Sequence, residues 1–141
     1  MIALSDYTKK DKTKLENLRK SEVIKDGGVL SIADFVTQEE ADIEDLFDPL
    51  LFCSIVNGTY ELKGEQELDP AKLKGADENT ERQVKMAEAY FNLLPEPTPL
   101  YSHFTPASWL LTHPETLAGD AEPILSTLER AENLFKALNG L

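Results

Sequence analysis

The stretch Ala41–Tyr60, ADIEDLFDPLLFCSIVNGTY, decides how this chain is read. Asp42, Glu44 and Asp45 crowd beside Leu46 and Phe47, Asp48-Pro49 follows, and an apolar run long enough for a helix comes next. Asp48 suits a helix start, because its carboxylate accepts from first-turn N–H groups and a proline at the first helical position gives up no hydrogen bond. The run PLLFCSIVNG therefore reads as a largely buried helix. The three earlier carboxylates have two readings. They favour the positive N-terminal end of the helix that follows, or they form half of a metal site, since hard oxygen ligands suit Mg²⁺ and Mn²⁺.

On the N-terminal side, MIAL is a short apolar run bounded by Ser5-Asp6 and reads as a buried strand. KKDKTKLENLRKSEVI has few apolar positions, Leu15, Leu18 and Ile24, and reads as a surface helix. Asp26-Gly27-Gly28 signals a turn. VLSIADFV then reads as a second strand, with Ile32 and Phe35 in its apolar set. Strand, helix and strand in this order predict a βαβ unit with parallel strands. The expected class is α/β: a partial Rossmann-like unit with two short parallel strands over residues 1–60. A mostly helical region, residues 61–141, is expected to pack on it within one domain. Two strands make a poor sheet, and a chain that opens inside a core strand points to more structure upstream.

On the C-terminal side, residues 61–79 are polar and glycine-containing, and read as a loop or a weak helix in which Asp69-Pro70 repeats the start signal. TERQVKMAEAYFNLL reads as an amphipathic helix with Val84, Ala87, Tyr90, Phe91 and Leu94 on its apolar side. PEPTP is a stiff linker, and Thr105-Pro106 opens the helix PASWLLTH, which Pro114 halts. The last helix starts at a capping box, Ser126-x-x-Glu129, carries Leu128, Ala131, Phe135 and Leu138 at three- and four-residue spacing, and ends on Gly140 as a left-handed cap.

With 141 residues, 41% of them apolar, the chain can bury one core. No apolar run approaches the ~18 residues of a membrane span, and MIALSDYTKK has no secretory pattern. The single cysteine, Cys53, lies in an apolar run and reads as a buried small hydrophobe, which fits a reducing cytoplasm. The net charge of −12 is uneven: residues 1–40 carry seven Lys/Arg and eight Asp/Glu, residues 41–141 seven and eighteen. Nucleic-acid affinity rests on cations that neutralise phosphates, so this chain alone should bind DNA only weakly. Its basic cluster, Lys9–Lys20, has no interleaved aromatics and reads as a solvated helix face.

Several chemistries find no motif. Gly27-Gly28 lacks the Lys and Ser/Thr of a phosphate loop. No nucleophile elbow or Cys–His pattern occurs. His103 and His113 have no Cys or His beside them, which argues against zinc. What remains is acidic. Asp6 follows the first expected strand and Glu44-Asp45 the second, and in an open parallel sheet both positions fall at the ligand-binding edge. Carboxylates converging there would hold Mg²⁺ or Mn²⁺, the ions that serve phosphodiester cleavage.

The segment from MIALSDYTKK to ADIEDLF resembles the second half of a TOPRIM domain of the kind fused to overcoming-lysogenization-defect (OLD) type ATPases. There a strand ends in an Asp-x-Asp pair, a helix and strand follow, and an IEDLF-like segment supplies further acid. RQVKMAEAYF, YSHFTPASWLL and STLERAENLFKALNGL are similar to later segments of that family, so the resemblance covers nearly the whole chain. It implies a metal-dependent DNA nuclease linked to an ATPase, with a role in phage defence. Asp6 matches the first Asp of the pair, Glu44 and Asp45 the later acidic motif, and Lys85 a basic residue beside the phosphate. The implied catalytic set is thus Asp6, Glu44, Asp45 and Lys85, and the implied ligands of Mg or Mn are Asp6, Glu44 and Asp45. Two departures stand out. Thr8 occupies the partner position of the Asp pair, and the family's first catalytic Glu lies on an upstream segment that is not in this sequence. A second expectation follows from them: an inactive binding module, completed by a partner chain or by self-association along the MIAL strand.

Overall fold

The computed structural model describes residues 3–5, 8, 12, 13, 16 and 29–140. Two aspartate–proline pairs build its frame. Asp48 Oδ1 accepts from the Leu50 N–H at 2.9 Å and opens α1, Pro49–Tyr60. Asp69 Oδ1 accepts from the Lys72 N–H at 2.8 Å and opens α2, Pro70–Ala76. Residues 61–79 therefore hold an ordered helix as well as loop. Glu61 ends α1 in the left-handed conformation. Then come α3, Gln83–Leu93, α4, Phe104–Thr112, and α5, Glu122–Gly140.

Strand structure among the described residues is confined to β1, Ala3–Ser5, lying parallel to β2, Val29–Ser31. The expected α/β class is therefore corrected. The chain is mostly helical, and three paired residues give no sheet layer for helices to cover. The cause lies in VLSIADFV. The Ser31 hydroxyl accepts from the Ala33 N–H at 3.2 Å, while Asp34 Oδ2 accepts from the Ser31 N–H at 2.9 Å. This reciprocal cap turns Ile32–Phe35 into a 3₁₀ helix, where a strand was expected. The expected helix over KKDKTKLENLRKSEVI and the turn at Asp26-Gly27-Gly28 lie outside the described residues, save that Lys12, Thr13 and Glu16 are helical and exposed.

The main core joins α1, α2 and α3 through Phe52, Val56, Leu62, Leu68, Leu73, Met86, Tyr90 and Phe91. The apolar side expected of α3 is found: Val84, Ala87, Tyr90 and Phe91 are buried and Leu94 packs beside them. Cys53 is buried in the same core. A smaller cluster, Ile32, Ala41, Leu46 and Leu134, ties the segment before α1 to α5.

In α5 several expectations shift. The helix begins at Glu122, so Ser126 is inside it and caps nothing at its start; its hydroxyl donates back to the Pro123 carbonyl. Leu134 is buried and Leu138 packs beside it, whereas Leu128 is 41% and Phe135 61% exposed. Gly140 is still helical. Helix α4 starts at Phe104, one residue before Thr105-Pro106, and His113 closes it.

Candidate functional site

The acidic patch docks onto the start of α3. Asp45 is the pin. Its Oδ2 accepts from the Asp42 N–H at 2.7 Å, closing the 3₁₀ turn Ile43–Leu46, and its Oδ1 accepts from the Gln83 N–H at 2.9 Å. The buried Gln83 side chain returns the contact, donating from Nε2 to the carbonyls of Glu44 and Phe47. Arg82 closes the joint with a two-pronged pair to Asp42. Burial drives the Asp45 pKa above its ordinary value, outweighing the N–H donors that hold the carboxylate down.

Around this joint runs a chain of polar side chains on the surface. His103 Nδ1 lies 3.2 Å from Glu44 Oε1, and His103 Nε2 lies 3.4 Å from Glu88 Oε1. Glu88 Oε2 in turn accepts from Lys85 Nζ at 2.8 Å. Each ring nitrogen of His103 thus faces one carboxylate. Glu44 comes from the segment before α1, Lys85 and Glu88 from α3, and His103 from the residue that precedes α4. Tyr101 sits next to the cluster, its ring 6.0 Å from that of His103. Its hydroxyl is buried without a partner, and burial, followed by the nearby Glu44 charge, pushes its pKa upward.

An apolar cavity of about 550 Å³ opens beside these residues. Ile43, Phe47, Phe52 and Ile55 form one wall, and Pro106, Ala107, Leu110 and Leu111 of α4 form the other. Glu44, Tyr101 and His103 are its polar lining. A second cavity, about 460 Å³, touches the inner joint through Asp45, Gln83 and Arg130. Gln83 Oε1 is buried there with no partner.

The four expected site residues separate. Asp6 lies outside the described residues. Glu44 and Asp45 are neighbours in sequence, yet one meets His103 and the other the backbone of Asp42 and Gln83. Lys85 joins Glu44 through Glu88 and His103. Among the described residues no three His, Cys, Asp or Glu side chains form a group able to hold a metal ion. Both oxygens of Asp45 are already bonded to N–H groups, so Asp45 as placed here does not fit as a ligand of Mg or Mn. His103, Glu88 and Gln83 are site residues that spacing did not reveal. Their one signal was membership of segments that carried the resemblance. Compared with protein families, with curated proteins and with solved structures, the chain matches none. No helix among the described residues is long and apolar enough to cross a membrane.

Proposed function

We propose that the chain is the mostly helical portion of a cytoplasmic, ATP-linked nuclease of the OLD type, which performs metal-dependent phosphodiester cleavage of DNA in the complete protein through a site that this chain holds only in part. One observation carries this reading. IEDLF, RQVKMAEAYF and YSHFTPASWLL, far apart in sequence and each similar to a segment of that family, meet at Glu44, Lys85, Glu88 and His103. Lys85, paired with Glu88 and 45% exposed in its side chain, is the cation at this cluster that would meet a phosphate. His103 lies between two carboxylates, within 3.2 Å of Glu44 and 3.4 Å of Glu88. Asp45 acts by holding the joint.

The test is cleavage of supercoiled plasmid with Mn²⁺ or Mg²⁺ by the chain, by Glu44→Gln and by Asp45→Ala, with a melting curve for each. Glu44→Gln should lose cleavage and keep its melting temperature. Asp45→Ala should lose both, because it unpins α3. Cleavage by Glu44→Gln at the full rate overturns the reading, and no cleavage in any sample leaves the chain as a fragment of the nuclease or a binding module.

A second reading has its own support. With Asp45 bonded internally on both oxygens, the fold can persist as a binding module without chemistry, in partnership with another chain.

A further inference from the structure

The cavity of about 460 Å³ on the inner side of the joint has two cations in its lining, Lys74 of α2 and Arg130 of α5. Arg82, Lys85 and Lys136 each have a carboxylate partner. Lys74 and Arg130 have none among the described residues. The half-buried Arg130 guanidinium donates once, from Nη1 to the Leu46 carbonyl at 2.9 Å. Asp45 and Glu81 also line the cavity, but they are engaged elsewhere: Asp45 accepts on both oxygens from backbone N–H groups, and Glu81 Oε2 accepts from the Glu39 N–H at 3.2 Å. A guanidinium held partly out of water without a counter-ion is a standing cost that an anion would relieve.

Gln83 supplies a second, independent feature. It is 4% exposed and lines the same cavity. Its Nε2 donates to the carbonyls of Glu44 and Phe47, which fixes the orientation of the amide, since the reverse would set oxygen against oxygen. Oε1 is thereby left as a buried acceptor with no donor. The rest of the lining is largely apolar, with Phe35, Val36, Phe47, Leu73 and Met86. Aromatic walls of this kind favour a planar ring.

We propose that this cavity binds a small organic anion: a phosphate or carboxylate held by Arg130 and Lys74, on a planar apolar body that presents an N–H to Gln83. The fork of guanidinium donors suits a head with two or more oxygens. The volume lies in the range of about 300–1,000 Å³ usual for ligand pockets, and a single water, at about 30 Å³, would leave most of it empty. The inference goes beyond the proposed nuclease, and its test uses neither metal nor DNA.

Two pairs of probes, titrated calorimetrically into the full chain, separate the sources of the anion. Adenosine monophosphate is compared with purine riboside monophosphate, which lacks the exocyclic amine. Indole carboxylate is compared with its N-methyl form, which lacks the ring N–H. Adenosine and indole are the versions without an anion. The pair that binds tells phosphate from carboxylate. Within that pair, loss of the anion or of the N–H should each weaken binding at least about tenfold. Arg130→Gln should also cost about tenfold, and its amide can still donate to the Leu46 carbonyl. Lys74→Gln, at an exposed position where the fold is safe, should cost about threefold. Circular dichroism checks both variants. No binding of either anion, equal binding without the anion, equal binding without the N–H, or unchanged binding to Lys74→Gln and Arg130→Gln would each overturn the proposal.

Discussion

Arg82 clasps Asp42 through two hydrogen bonds, Nε to Oδ2 at 2.8 Å and Nη2 to Oδ1 at 2.7 Å. The Asp42 side chain is 6% exposed and the Arg82 side chain 21%. The pair joins the segment before α1 to the residue that precedes α3. Asp42 supports the guanidinium charge, and the Arg82 pKa rises through that hydrogen bond.

Removing one partner leaves the other charge stranded. Arg82→Ala should cost about 2–3 kcal/mol, since Asp42 stays buried without its cation. Arg82→Lys keeps the charge and loses the planar fork, so it should cost about 1 kcal/mol. Urea unfolding of the two variants checks the order. A lysine variant as stable as the parent would show that the fork geometry contributes nothing.

Asp45 predicts a pH dependence with a definite sign. Its folded pKa lies above the ordinary 3.8 because of burial. The folded state therefore binds the proton more tightly than the unfolded state. This contribution is full below 3.8 and is lost as pH rises through the folded pKa. Other carboxylates overlay it, so the difference between the parent and Asp45→Asn is the quantity to measure. That difference should move in favour of the variant as pH rises from 3.8. A difference that is flat with pH would remove the assignment.

Much of this joint was invisible in the sequence, for a physical reason. Asp48-Pro49 and Asp69-Pro70 announce their helices because the cap and the helix are adjacent in the chain. The apolar spacing of α3 is legible for the same reason. Asp45 and Gln83, by contrast, meet 38 residues apart, and no local pattern records that an acid will accept from the N–H of a distant helix start. VLSIADFV misled in another way. Its apolar content suits a strand, but Ser31 and Asp34 cap a turn in its middle, and the cap wins. In α5 the Ser126-x-x-Glu129 pattern matched a start signal four residues inside a helix that Glu122 and Pro123 had already opened.

Cys53 should be inert while the chain is folded. It is 2% exposed, and burial pushes its thiol up to about 12. A disulfide reagent at pH 8 should label it at least about a hundredfold more slowly in the native protein than in urea, since thiolate fraction and access both fall. Labelling at equal rates would mean that this part of α1 opens readily.

Gly58 of α1 lies directly beneath Trp109 of α4. A Cβ placed there would come within 2.8 Å of Trp109 Cη2. Alanine gains about 1 kcal/mol of helix propensity over glycine. Overpacking costs about 1–3 kcal/mol, and the indole also stacks on His113, ring centroids 4.1 Å apart. Gly58→Ala should therefore be net destabilising by about 1 kcal/mol and should shift the Trp109 emission. An unchanged spectrum with raised stability would place the indole elsewhere.

The Asp48 N–H donates to the Thr127 hydroxyl at 2.8 Å, and Arg130 donates to the Leu46 carbonyl at 2.9 Å. Leu134 completes the cluster around Ile32 and Leu46. During synthesis, the helices α1 to α3 can collapse as soon as they leave the ribosome, because their core is self-contained. The segment before them cannot. Its apolar side chains stay uncovered until α5 arrives, so the earliest part of the fold is among the last to be sealed, and a ribosome stalled before α5 would leave a sticky chain for chaperones to shield.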